Sequence, residues 1–139
     1  MNKYVVGFLF DSDNNRVCLI KKNRPQWQKG RLNGVGGHIE DGENPKDAMT
    51  REFQEEAGET IKWRQFLLVK GNEYELHCFT AKAADVNLTN IHSATDEIID
   101  WYPIESLPDN ILPNLKWLVP MANYKFEITG TIIHDNEEC

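Results

Sequence analysis

A segment near the middle of the chain carries both a helix start and a helix stop, and it constrains the fold more than any other feature. Asn44 is a favourable N-cap, Pro45 suits the first helical position, and Asp47 interacts well with the positive end of the helix dipole. Gly58 is typical of the position just after a helix. Apolar residues recur at helical spacing between these signals: Ala48, Met49, Phe53 and Ala57. We therefore predict a helix over Pro45–Ala57 with one side facing a core.

The other apolar runs are mostly typical of strands. Residues 4–10 and 16–20 flank the polar cluster 11–15, which predicts a β-hairpin. Four further segments also predict strands: 61–69, 74–81, 97–102 (ended by Pro103) and 126–133. The basic stretch 21–31 is expected to be a loop, and residues 84–93 are expected to be irregular.

A second helix is predicted over residues 115–122. Pro120 fits poorly into a helix interior, so this helix is expected to be short, kinked or displaced towards a later start. Three glycines cluster before the central helix, which predicts a need for backbone freedom: Gly34, Gly36 and Gly37. No repeat or linker is evident, so we expect one α/β domain over residues 1–139.

Composition and charge limit the possible partners. The formal net charge is −7, from 22 acidic and 15 basic side chains, and no long basic run is present. These features argue against a nucleic acid polymer as partner. No apolar stretch approaches the roughly 18 residues of a membrane span, and no signal peptide is recognised. The three cysteines match no zinc or redox spacing, so a cytoplasmic protein with reduced thiols and no membrane contact is expected.

Acidic residues gather in the last turns of the predicted central helix. Glu52, Glu55 and Glu56 fall three and four positions apart, which places them on one helix face. Like charges repel there, and the negative end of the helix dipole adds to the cost. Arg51 can pair with Glu55, and a hard cation such as Mg²⁺ can take the remaining charge. From these carboxylates alone, a solvated acidic face and a cation site are equally good interpretations.

The wider spacing resolves that choice. Gly37 is followed after five residues by Glu43, and after seven more by Arg51 and Glu52. Further positions follow at fixed spacing: Phe53, Glu55, Glu56 and Gly58. This pattern resembles the Nudix box, with one departure, because Glu59 stands where the family usually has an apolar residue. The resemblance implies an α/β/α sandwich with a curved mixed sheet, in which the box forms a loop, a helix and a loop.

The resemblance also implies a chemistry and the residues that perform it. It implies Mg²⁺, or Mn²⁺ in its place, held by four residues: the carbonyl of Gly36 and the carboxylates of Glu52, Glu55 and Glu56. Arg51 would pair with Glu43 to orient these carboxylates, while Gly37 and Gly58 support the loops. The implied reaction is hydrolysis of a diphosphate bond by an activated water. The base that takes the water's proton is Glu55, Glu56 or a loop carboxylate, Asp96 or Glu97, of which Glu97 is preferred.

Substrate-binding residues are expected in the loops around the box. The run 31–37 resembles the stretch before the box in Nudix enzymes that remove oxidised purine triphosphates, which makes Asn33 a candidate base reader or a turn residue. Asn114 is a candidate for a second contact. Trp27 is either a stacking residue or a core residue. Lys22 and Arg24 either meet phosphates or stay solvated.

Several functions remain open within this resemblance. The main expectation is hydrolysis of a nucleoside triphosphate, with or without an oxidised base, to the monophosphate and pyrophosphate. ADP-ribose and dinucleoside polyphosphates are alternative substrates. A protein of another class, a nucleotide sensor without catalysis, is disfavoured because all three box carboxylates are kept. The partner is a small nucleotide, and the protein is expected to be a monomer or a homodimer.

Overall fold

A computed structural model of the chain describes residues 1–83, 90–124 and 129–134. The central helix, α1, spans Pro45–Ala57 as predicted. The Asn44 side chain accepts a hydrogen bond from the backbone N–H of Asp47 at 2.9 Å, so it caps the helix as expected. Gly58 ends it in the left-handed conformation at φ 81°. The local signals in the sequence therefore determine both ends of this helix.

The strands form one mixed sheet. In chain order they are β1 Asn2–Phe10, β2 Arg16–Lys21, β3 Leu32–Asn33, β4 Val35–His38, β5 Arg64–Lys70, β6 Tyr74–Lys82, β7 Ile98–Pro103 and β8 Thr131–Ile133, and the second helix, α2, is Leu115–Ala122. The sheet order is β3-β2-β1-β6-β5-β8, with β4 also paired to β1 and β7 to β2. The pairs β1–β6 and β5–β8 are parallel, and the other strand pairs are antiparallel.

One helix packs on each face of this sheet. Side chains of β1 alternate, so that Phe8 lies in a core with α2, while Leu9 lies in a core with α1. The α2 side holds Leu115, Leu118 and Val119 among its buried residues, and the α1 side holds Ala48, Met49 and Phe53. The α/β/α sandwich with a mixed sheet is therefore confirmed. The hairpin of β1 and β2 is also confirmed, with Leu9 opposite Cys18.

Several predicted boundaries differ from the structure. The strand predicted at 61–69 begins only at Arg64, where pairing with β6 starts, and the preceding Trp63 packs edge-on against Phe53 of α1 at 5.3 Å between ring centroids. The strand predicted at 97–102 is Ile98–Pro103, because its partner β2 ends at Lys21, opposite Ile98. The last strand is described only at Thr131–Ile133. Predictions for 84–89 and 125–128 lie outside the described residues.

The second helix is short, as Pro120 led us to expect, at eight residues. Within the described parts of the chain, no helix combines the length and apolar character that a membrane crossing requires. Cys18 and Cys78 are buried free thiols. Cys139 lies outside the described residues.

The glycine cluster before α1 serves close packing, which corrects the expectation of backbone freedom. The glycines with positive φ in the described chain are Gly30, Gly42 and Gly58, not the three of the cluster. A Cβ on Gly36 would overlap the carbonyl oxygen of Val5, the residue before its β1 partner Val6. A Cβ on Gly34 would lie 2.8 Å from the carbonyl oxygen of Gly7. These glycines let β4 run tightly against β1 and hold its residues close to α1.

Candidate functional site

Arg51 ties α1 to the segment that precedes it. Its Nε and Nη2 donate to the two carboxylate oxygens of Glu43 at 2.9 and 3.0 Å, so the predicted pair is present and bidentate. Nη2 also donates to the carbonyl oxygen of His38 at the end of β4, at 3.1 Å. The hydrogen bond from Arg51 lowers the pKa of the Glu43 carboxyl. This fork fixes the rotation of the helix against the loop before it.

The third nitrogen of Arg51 faces the acidic stripe, which is the face of α1 that carries Glu52, Glu55 and Glu56. Its Nη1 donates to Glu52 Oε1 at 3.0 Å and lies 3.4 Å from Glu55 Oε2. The Glu52 side chain is 13% exposed, whereas that of Glu55 is 56% exposed. Burial raises the pKa of Glu52, and the contact with Arg51 offsets only part of this effect. Arg51 therefore offsets part of the repulsion between the carboxylates of this stripe, through its contacts with Glu52 and Glu55.

Glu56 is the least satisfied carboxylate of the stripe. Its Oε2 atom is buried and finds no hydrogen-bond partner among the described residues. Burial, with the nearby charges of Glu52 and Glu97, raises its pKa to about 8, although Lys22 and the backbone N–H of Gly36 act in the opposite direction. A buried carboxyl oxygen without a partner is costly, so this atom is a strong candidate for a ligand contact.

The predicted convergence of the carboxylates is only partial. Over residues 1–83, 90–124 and 129–134, no group of three or more histidine, cysteine or acidic side chains is gathered into a ready-made metal site. Glu52 and Glu55 contact Arg51, while Glu56 interacts with the backbone N–H of Gly36. The three residues share one end of the helix, as their spacing predicted, but their carboxylates face different partners.

The loop before β7 is docked onto the same helix end. The backbone N–H of His92 donates to the carbonyl oxygen of Ala57 at 3.1 Å, and that of Ala94 donates to the carbonyl oxygen of Glu56 at 3.0 Å. A Cβ on Gly58 would overlap the ring of His92, so the helix stop also leaves room for this loop. These contacts bring Glu97 close enough for its charge to act on Glu56, while Asp96 stays exposed beside Arg24.

Glu97 is buried and held entirely by donors. Its side chain is 4% exposed and accepts from Lys22 Nζ at 3.0 Å. It also accepts from the backbone N–H groups of Asn23 at 2.6 Å and Arg24 at 3.3 Å. Burial raises its pKa, but the hydrogen bonds from Asn23 and Lys22 outweigh burial, so the net pKa is lowered. Sequence reasoning missed Asn23, because its contribution is a backbone N–H that leaves no pattern in residue types.

The two candidate phosphate contacts are both paired with carboxylates in this structure. Lys22 bonds Glu97, while Arg24 forms an exposed pair with Asp96, at 2.6 Å from Nη2 to Oδ2. The hydrogen bond to Arg24 lowers the pKa of Asp96. Neither cation is therefore simply solvated.

The candidate base-binding residues occupy three different environments. Asn33 Oδ1 accepts from the N–H of Gly34 at 2.8 Å, and its Nδ2 donates to Gln28 Oε1 at 3.3 Å. Gln28 was not foreseen, since an isolated loop glutamine gives no signal. Trp27 is 69% exposed, which excludes the core alternative. The Oδ1 atom of Asn114 is buried and has no hydrogen-bond partner within the described chain.

The raised pKa of Glu56 gives a testable pH dependence of stability. Because the folded-state pKa is about 8 and the ordinary value is 4.5, the folded state holds a proton that the unfolded state releases between these pH values. This contribution is fully present below pH 4.5 and is lost as the pH rises to about 8. Urea unfolding without divalent cations should show stability falling by about 1.4 kcal/mol per pH unit relative to Glu56→Gln. Parallel pH profiles for the two proteins would contradict this assignment.

Comparison with known proteins adds a family and a fold. The model of the NUDIX domain family matches residues 1–121. The 8-oxo-dGTP diphosphatase of Escherichia coli (strain K12) is 36% identical over 64 residues, which are 46% of this chain and 48% of that protein. The match thus spans about half the length of this relative.

Solved structures resemble the chain over most of its length. A MutT structure from work on Aliivibrio salmonicida and Vibrio cholerae has a TM-score of 0.68 and 24% identity, covering 87% of this chain and 96% of that one. A NUDIX hydrolase from Nitrosomonas europaea has a TM-score of 0.75 and 16% identity, covering 98% and 81%. MutT from Bacillus halodurans has a TM-score of 0.71 and 19% identity, covering 98% and 92%. At these identities the likeness establishes the fold.

Proposed function

The chain belongs to the Nudix family, and from this premise we propose that it is a Mg²⁺-dependent hydrolase of a diphosphate bond in a small nucleotide. The favoured substrate is a nucleoside triphosphate, with or without an oxidised base, which is cut to the monophosphate and pyrophosphate. The observation that carries the proposal is the buried Oε2 of Glu56, close to the box carboxylate Glu52, for which the described part of the chain offers no hydrogen-bond partner.

The donor set suits a hard divalent cation. Carboxylate and carbonyl oxygens are the ligands that Mg²⁺ prefers, and the cation usually keeps several waters. Glu52, Glu55 and Glu56, with the carbonyl of Gly36, are the residues that would hold it, and Mn²⁺ suits the same oxygens. The orphan oxygen of Glu56 supports this fit, because a cation would satisfy an atom that no described group satisfies. When bound, the cation supplies Lewis-acid activation and neutralises charge on the diphosphate.

The chain's own residues then divide the remaining work. We assign the base role to Glu56, whose carboxylate would accept a proton from the attacking water through the oxygen that does not bind the cation. Glu55 suits this role less well because it is exposed and paired with Arg51, and Glu97 because all its described partners are donors. Arg51 holds Glu52 and Glu55 in place and partly neutralises the negative charge of the acidic stripe.

The nucleotide base is proposed to bind near the loop before β3. Trp27 presents an exposed ring on which a base can stack, and Asn33 presents an amide that is oriented by Gly34 and Gln28. Asn114 offers a buried acceptor for a donor on the substrate. Lys22 is paired with Glu97 and Arg24 with Asp96. Either cation would therefore contact a phosphate while it remains paired with its carboxylate. The name of the Escherichia coli relative supports an oxidised purine among the substrates.

A substrate panel tests the proposed function. The purified protein is assayed with Mg²⁺ on ordinary and 8-oxo nucleoside triphosphates, ADP-ribose and a dinucleoside polyphosphate, with products resolved by chromatography. We expect monophosphate and pyrophosphate from the triphosphates at rates at least about tenfold above the other two classes, and no turnover with excess EDTA. A preference for ADP-ribose or the dinucleotide would reassign the substrate. Binding without turnover of any compound would favour a sensor.

A further inference from the structure

The contacts of Glu97 point to a role beyond the acidic stripe. Its carboxylate accepts from two successive backbone N–H groups, those of Asn23 and Arg24, and from the ammonium of Lys22. All three donors come from the chain that leaves β2, more than 70 positions earlier in the sequence. A carboxylate cradled by consecutive N–H groups and an ammonium is bound through charge-assisted hydrogen bonds, the stronger class.

The chain held by Glu97 is the start of a closed loop over residues 22–31. The N–H of Lys22 donates to the carbonyl oxygen of Arg31, and the N–H of Gly30 donates to that of Lys22, each at 2.8 Å, so the two ends are joined. Trp27 lies at the exposed part of this loop, within the 3₁₀ turn Gln26–Gln28. The turn also carries Gln28, the partner of Asn33. The position of the loop therefore determines where Trp27 lies, whereas Asn33 belongs to β3, where it pairs with Ile20.

We propose that Glu97 is a positioning residue that clamps the 22–31 loop to the end of α1 and so places Trp27 for the nucleotide base. The other end of the clamp is the docked segment before β7, through the hydrogen bonds of Ala94 and His92 to the last turn of α1. The clamp links the acidic stripe to the base-binding loop through one side chain. Its consequence for base binding rests on the proposed function, whereas the clamp itself does not.

Replacing Glu97 with glutamine probes the clamp directly. The amide would place an N–H against a shell made of donors, so one or more of the three hydrogen bonds must break. Hydrogen exchange of the ¹⁵N-labelled full chain, followed by NMR without cation or nucleotide, reads the Asn23 and Arg24 amides. In Glu97→Gln these should exchange at least tenfold faster, equivalent to about 1.4 kcal/mol. The Gly34 amide, held by Asn33 Oδ1, should be unchanged.

Asp96→Asn is the matched control, because it alters the neighbouring carboxylate, which is 60% exposed and paired with Arg24. Exposed pairs contribute little, so exchange at Asn23 and Arg24 should change less than twofold. Should Glu97→Gln prove poorly folded, Lys22→Met removes only the ammonium and should still accelerate exchange of both amides. Unchanged exchange in Glu97→Gln, or equal acceleration in Glu97→Gln and Asp96→Asn, would overturn the clamp.

Kinetics separate positioning from participation in the reaction. With the nucleoside triphosphate that the wild type cuts fastest, Glu97→Gln should raise KM about tenfold and lower kcat less than threefold, because the loop loses its place while the acidic stripe remains. A collapse of kcat with unchanged amide exchange would overturn the proposal and assign Glu97 to the cation or the water. If the wild type cuts no nucleotide, the proposed function fails, yet the exchange measurement still tests the clamp.

Discussion

Glu56→Gln is expected to lower kcat about a thousandfold while leaving the fold intact. Glutamine keeps the size and one acceptor oxygen of the side chain but loses the negative charge and the ability to take a proton. Positioned general bases contribute about 10²–10⁴ in rate, and loss of a cation ligand adds to the effect. The fold should survive because the ionised carboxylate is itself a burden at this buried position, where its pKa is raised to about 8. Steady-state kinetics with saturating Mg²⁺ and thermal unfolding measure the two quantities.

Glu55→Gln is the matched control for this experiment. It makes the same chemical change one residue earlier, at a side chain that is 56% exposed and only 3.4 Å from its counter-ion Arg51. Its kcat should fall about tenfold or less, because an exposed carboxylate is easily replaced by water as a ligand and because Arg51 already contacts its oxygens. The assignment of Glu56 would not survive an equal loss in both variants, or a larger loss in Glu55→Gln.

Gly37→Ala is expected to lower kcat/KM about a hundredfold through a single methyl group. A Cβ at this position would lie 2.5 Å from the carboxylate carbon and Oε1 of Glu52. The obstructing atoms are the far end of a flexible side chain, so Glu52 should move away while β4 stays paired. A displacement of about 1 Å at a reacting centre costs on the order of 10²-fold in rate. The measurements are kcat/KM at saturating Mg²⁺ and the Mg²⁺ dependence of the rate.

Gly130→Ala is the control for Gly37→Ala, since among the described residues, its chain neighbours aside, none comes within 4 Å of the added Cβ. It should leave kcat/KM and its Mg²⁺ dependence unchanged. Unfolding of Gly37→Ala should occur within a few degrees of the wild type. If Gly37→Ala kept full activity, Glu52 would have no part in holding the cation. If it failed to fold, the glycine would be required by β4 itself and not by the acidic stripe.

Local features of the site were predictable because they depend on neighbours along the chain. The cap at Asn44, the stop at Gly58 and the approach of Arg51 to Glu55 all involve residues within one or two helical turns. The pairing of Arg51 with Glu43 spans eight residues and came from the resemblance to the Nudix box, not from spacing alone. Helix geometry and a known motif were sufficient for this part.

Other features depended on contacts that the sequence does not indicate. The surroundings of the Glu56 carboxyl include Gly36, Lys22 and Glu97 from three other segments of the chain, which the spacing of the glutamates does not reveal. The partners of Glu97 lie 73 to 75 residues away. Two of them are backbone N–H groups, which every non-proline residue carries. The exposure of Trp27 was also open, because the same residue type is often buried.

The sequence by itself determined the central helix with its two end signals and the acidic stripe with its arginine. These follow from periodicity and from hydrogen bonds between near neighbours, whose geometry is nearly the same in any protein. Only the tertiary structure decided that Gly36 is required by the close approach of Val5, that Oε2 of Glu56 is buried, and that Glu97 holds the 22–31 loop. Burial and long-range pairing depend on which surfaces meet, and residue types alone do not specify that meeting.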